Sequence, residues 1–63
     1  MSTVAEKVGQ LVELLQDAQT DAVKFDGGNN AAGTRVRQTL GDVAKACKTV
    51  RADVIAERNS RKG

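Results

Sequence analysis

The chain contains no histidine, no tryptophan and no tyrosine, and only one cysteine and one phenylalanine in 63 residues. Without histidine the usual zinc ligand sets cannot be assembled, so no metal site is expected. A single cysteine, Cys47, excludes an intrachain disulfide. The usual base that would activate its thiolate is also missing, so Cys47 reads as small apolar core filler. Nothing here assembles a catalytic site, and neither an enzyme nor a cofactor nor a small-molecule substrate is expected. One ring, Phe25, cannot build a base-stacking platform. No apolar run approaches a membrane span, and Glu6, Lys7 and Gln10 among isolated valines do not make a signal peptide. The expectation is a cytoplasmic protein with no membrane partner, or one packed inside a virus particle.

A domain of this size has a poor surface-to-volume ratio and usually needs a staple, a metal or a partner chain. Self-association is the aid left open, and a homodimer is expected.

What the chain does have is periodicity. Thr3 and Glu6 fit a capping box at a helix start. Val4, Val8, Leu11, Leu15, Ala18, Ala22 and Phe25 then recur at alternating spacings of 4 and 3, a heptad seam that predicts a helix over about 3–25. Val12 and Leu14 flank that seam and leave surplus apolar surface. Asp26-Gly27-Gly28-Asn29-Asn30 reads as a turn over 26–30, with Asn29 or Asn30 capping the next helix. The second helix is predicted over about 31–59, with a seam of Val36, Leu40, Val43, Cys47, Val50 and Val54. Residues 60–63 read as a frayed basic tail. So short a turn makes the helices antiparallel. The fold class is therefore all-α: a single coiled-coil-like two-helix hairpin, dimerising into a four-helix bundle.

Charge divides between the arms. Residues 1–30 set Lys7 and Lys24 against five carboxylates, for −3; residues 31–63 set eight cations against Asp42, Asp53 and Glu57, for +5. On a helical wheel Arg37, Lys48, Arg51 and Arg58 share a sector of about 80°. Four cations along one edge suit the phosphates of a nucleic acid, and nothing beside them would read base sequence. The competing reading pairs this stripe with acidic residues of the first arm or of a second chain.

The run Gly28-Asn29-Asn30-Ala31-Ala32-Gly33-Thr34-Arg35-Val36-Arg37 resembles the corner of the bacterial linker-histone-like family, the chlamydial-type histone-like nucleoid proteins and their short forms. In that family a Gly-Asn-Lys-Ala-Ala-Gly-x-Arg-x-Arg-Lys corner joins an amphipathic acidic helix to a basic one. Arg35 and Arg37 match its two arginines; Asn30 and Gln38 stand where it tends to have lysines. The resemblance implies a nucleoid-associated protein that binds double-stranded DNA without base specificity and helps compact it. The residues expected to contact DNA are Arg35, Arg37, Lys48, Arg51, Arg58, Arg61 and Lys62. The alternative is a small helical cement or scaffold protein acting through protein–protein contacts.

Overall fold

The computed structural model describes residues 3–61, and these form two α-helices and no strand. Helix α1 spans Val4–Asp26 and helix α2 spans Asn30–Arg61. They pack against each other as an antiparallel hairpin 54 Å long and 16 × 15 Å across.

Each helix end is closed by its own sequence. The Thr3 hydroxyl accepts from the Glu6 backbone N–H at 3.1 Å, satisfying one free donor of α1. At the corner the Gly28 N–H donates to the Phe25 carbonyl at 2.9 Å and the Asn29 N–H to the Lys24 carbonyl at 3.0 Å. That pair of bonds is a Schellman motif, with Gly28 in the left-handed position at φ +108°. Between the two predicted candidates, Asn29 is the cap of α2: its Oδ1 accepts from the Ala32 N–H at 3.1 Å. The second helix therefore starts at Asn30, and it continues to Arg61 rather than ending near Asn59. Ser60 and Arg61 of the expected tail are helical; Lys62 and Gly63 lie outside the described residues.

The contact line between the helices differs from the predicted seam. Along α2 the buried or half-buried positions are Ala32, Val36, Thr39, Val43, Ala46, Val50 and Asp53, with Gly33 beside them at the corner. Along α1 they are Val4, Lys7, Leu11, Ala18, Asp21 and Ala22. Leu40, Cys47 and Val54 are exposed, as are Val8 and Leu15. Cys47 is thus a surface thiol, not core filler.

The reason lies in the heptad itself. Writing Val36, Val43 and Val50 as position a, the true partners Thr39, Ala46 and Asp53 are position d, and the predicted Leu40, Cys47 and Val54 are position e. Both choices repeat at 3 and 4 residues, but their centres differ by about 50° around the helix. The d positions hold small or polar side chains, which let the backbones approach closely. Ala18 (5% exposed) and Ala32 (0%) are the only fully buried apolar residues among those described.

Two polar pairs also lie on the line. The Lys7 ammonium and the Asp53 carboxylate, each about one-third exposed, pair across it, and Arg35 pairs with Asp21. Neither carboxylate belongs to the predicted seam. At the corner Phe25 lies over Gly33, where a built Cβ would come within 2.4 Å of the ring Cδ1. Gly33 therefore makes room for Phe25.

Candidate functional site

With 32 residues against 23, α2 outlasts α1 by nine. Its surface away from α1 consists of positions b, c and f of the observed heptad. Among the described residues this outer face holds Arg37, Lys45, Lys48, Arg51 and Arg58 and no carboxylate. The acids of α2 all lie elsewhere: Asp53 on the contact line, Asp42 beside it, and Glu57 at the a position beyond the end of α1. From Arg37 to Arg58 the face runs about 32 Å. Arg37, Arg51 and Arg58 share position b, one or two heptads apart, and Lys48 sits next to them on f.

The outer face of α1 is the opposite. Its b, c and f positions carry Glu6, Glu13 and Asp26 and no cation. The hairpin is therefore charged across its width, basic along one long edge and acidic along the other.

The predicted contact residues divide accordingly. Arg37, Lys48, Arg51 and Arg58 are exposed together on the outer face. Arg35 is not with them: its Nε and Nη2 donate to Asp21 Oδ1 at 3.2 and 3.1 Å, on the far flank of the hairpin. Its guanidinium pairs across the two helices while staying half exposed. Arg61 lies within 3.7 Å of Glu57 one turn earlier, which offsets part of its charge. Lys62 is outside the described residues. Lys45 also belongs to the face, although it lies about 60° past Lys48 and so outside the predicted sector.

Besides the two charged edges the hairpin has two flanks. On the polar flank the g positions hold Gln10, Asp17, Lys24, Arg35, Asp42 and Thr49. On the other flank the e positions hold Val8, Leu15, Ala22, Leu40, Cys47 and Val54, extended by Val12. Leu15 is 45% exposed and Leu40 48%. Near the corner this flank opens into a cleft of about 330 Å³ between Ala22, Phe25, Gly33 and Val36, with Asn30 and Arg37 at its rim. Chemically, the molecule offers a row of cations and, along their border, an apolar strip that carries the exposed Cys47 thiol.

No helix among the described residues is long and apolar enough to cross a membrane. No curated protein and no solved structure matches the chain. One family model does, over residues 5–60, which takes in both helices and the corner between them. With nearly its whole length matched, the chain belongs to the family described as histone H1-like protein Hc1.

Proposed function

We propose that this protein binds double-stranded DNA through the outer face of α2, without base specificity, and helps to compact a nucleoid as a homodimer. The observation that carries the reading is the segregation of charge: five cations and no carboxylate along about 32 Å of one helix face. Membership of a histone H1-like family points the same way. Phosphates are recognised here by charge alone. The face offers guanidinium and ammonium donors, and neither an aromatic platform nor a constellation of side chains placed to read base edges. The role is structural, not enzymatic, and it places the protein on the nucleoid. Arg37, Lys48, Arg51 and Arg58 are the central contacts, with Lys45 at the border and Arg61 and Lys62 beyond. Arg35 is a scaffold residue in this reading.

A titration of random-sequence duplex at graded salt tests it. Four phosphate contacts give a log–log slope of about −3.6, and a dimer using both faces on one duplex gives about twice that. Replacing Arg37, Lys48 and Arg51 together by glutamine should remove about 2.7 from the slope per chain engaged. Unchanged DNA retention by that triple variant would sink the proposal.

The exposed apolar flank also favours a second reading, a small assembly protein whose partner is another protein. The same titration separates the two, because apolar association persists or strengthens as salt rises while phosphate binding weakens steeply.

A further inference from the structure

The basic face of α2 is not evenly charged. Its row of b positions reads Arg37, Ala44, Arg51, Arg58, all exposed. At about 1.5 Å of rise per residue, Arg51 stands about 21 Å beyond Arg37, and Arg58 about 10.5 Å beyond Arg51. Lys48, on the neighbouring f position, lies about 4.5 Å before Arg51. The row drifts around the helix by about 20° per heptad, which flexible arginine side chains span. The cations therefore come in one long step and one short step, and Ala44 occupies the middle of the long one. Total charge gives no reason for that gap, since Ala44 is exposed like the arginines of its row.

A B-form duplex has the same alternation. Its major and minor grooves are about 12 and 6 Å wide. With about 6 Å added for the phosphates on the rims and about 15% for the slant of the strands, a line along the axis meets a backbone after about 21 Å across the major groove and about 13 Å across the minor. The two steps make one turn of about 34 Å. Arg37 to Arg58 covers about 32 Å of helix.

A straight rod laid across a convex duplex touches it only near the middle of the rod, whereas one laid along the axis touches from end to end. The hairpin is 16 × 15 Å across, too wide to sink whole into a groove of about 12 Å. Laid along the axis, it brings Arg37 and Arg51 over the two rims of the major groove, and Arg51 and Arg58 over the two rims of the minor groove. Lys48 falls beside the phosphates under Arg51. Ala44 hangs over the open major groove, about 10 Å from either backbone, where a cation has no phosphate to meet. Lys45 falls in the same gap, about 9 Å before Arg51.

We propose that α2 lies along the axis of the duplex and spans one turn, with Arg37 and Arg51 on the rims of the major groove and Arg51 and Arg58 on the rims of the minor groove. This rests on the DNA-binding reading above. Recognition is still by charge without base reading, but the spacing of the arginines decides which charges count. Arg51 is shared by both grooves and, with Lys48 beside it, anchors the register.

The test is the salt titration of random-sequence duplex with the full chain. The slope counts phosphates, and the share carried by one cation does not depend on how many chains engage. Ala44→Arg adds a cation in the middle of the row. Ala44 is exposed and arginine is a good helix former, so circular dichroism should show the hairpin intact. The slope should stay within about a tenth of the unaltered value, whereas a face that works by total charge steepens by about a quarter. Arg37→Gln combined with Ala44→Arg keeps the charge but leaves two steps of about 10.5 Å; it should lose about a quarter of the slope, as much as Arg37→Gln alone. Arg51→Gln combined with Ala44→Arg gives a step of about 10.5 Å and then one of about 21 Å. That is the native spacing read from the other end, so the slope should be kept in full, with the hairpin reversed on the duplex. Lys45→Gln should change the slope by less than about a tenth, while Lys48→Gln should remove about a quarter.

Steepening by Ala44→Arg, rescue of Arg37→Gln by Ala44→Arg, a lost quarter in the Arg51→Gln pair, or equal losses at Lys45 and Lys48 would each overturn the proposal. Each of those leaves DNA binding in place as an effect of total charge. Absence of salt-dependent DNA retention by the unaltered protein is a separate outcome: it removes the DNA-binding reading itself, and the register with it.

Discussion

At the scale of single residues, Gly33 and Arg35 show how position decides a side chain's work. An added methyl at Gly33 meets Phe25, whereas at Gly9 and Gly41 it meets nothing within 4 Å. Gly41→Ala should therefore stabilise the fold by about 1 kcal/mol through helix propensity alone. Gly33→Ala should gain less, because it pushes Phe25 off its seat, and should recover the full gain when Phe25→Ala is also made. Urea denaturation of the four chains of that cycle measures the difference. Arg35 is half of an exposed ion pair with Asp21, at 3.1 Å. Arg35→Gln should cost at most about 1 kcal/mol of stability. It should leave the salt slope of DNA binding unchanged, whereas Arg37→Gln should reduce it by about 0.9. The two arginines stand two residues apart, which puts them on opposite sides of the helical wheel, and only Arg37 falls in the basic sector. The ion pair across the hairpin shows what Arg35 does instead.

At the scale of elements, the helices are defined by their caps and the hairpin by its register. Asn29 supplies the side-chain acceptor that starts α2. Asn29→Ala should cost about 1 kcal/mol, and Asn30→Ala, inside the first turn, much less. Thermal melts of the two variants distinguish them. The two helix spans and the corner were legible in the sequence because capping, glycine placement and a 3–4 repeat are local properties. The rotation of each helix was not. Lys7 and Asp53 lie outside the predicted seam, yet they pair across the contact line, where they can set how α1 slides along α2. Asp53→Lys should destabilise the hairpin by about 1 kcal/mol, and adding Lys7→Asp should restore most of the loss. Independent, additive effects in that double-mutant cycle would show that the pair does not set register.

At the scale of the whole molecule, a hairpin with so thin a core should not have one fixed melting temperature. If a second copy covers the apolar flank, the midpoint should rise with protein concentration, while that of Leu40→Lys should stay flat. Calorimetry over a hundredfold concentration range measures this directly. The same geometry gives the molecule its charged cross-section, with basic and acidic edges on opposite sides of a rod 54 Å long. A concentration-independent midpoint would mean that two helices alone supply the stability.

What the sequence by itself determined is the all-helical hairpin, the place of its corner, and the fact that positive charge collects on the second arm. Each follows from short-range spacing or from composition, and the resemblance of the corner led correctly to the histone H1-like family. The tertiary structure decided which stripe of each helix faces the other. A repeat of 3 and 4 residues describes the a/d and the a/e stripe equally well, and hydrophobicity favours the second. Close packing favours the first, because Ala18, Ala32 and Ala46 allow the backbones to approach and Gly33 leaves space for Phe25. That rotation of about 50° moved Cys47 and Leu40 to the surface and set Arg37, Arg51 and Arg58 on the outward face beside Lys45.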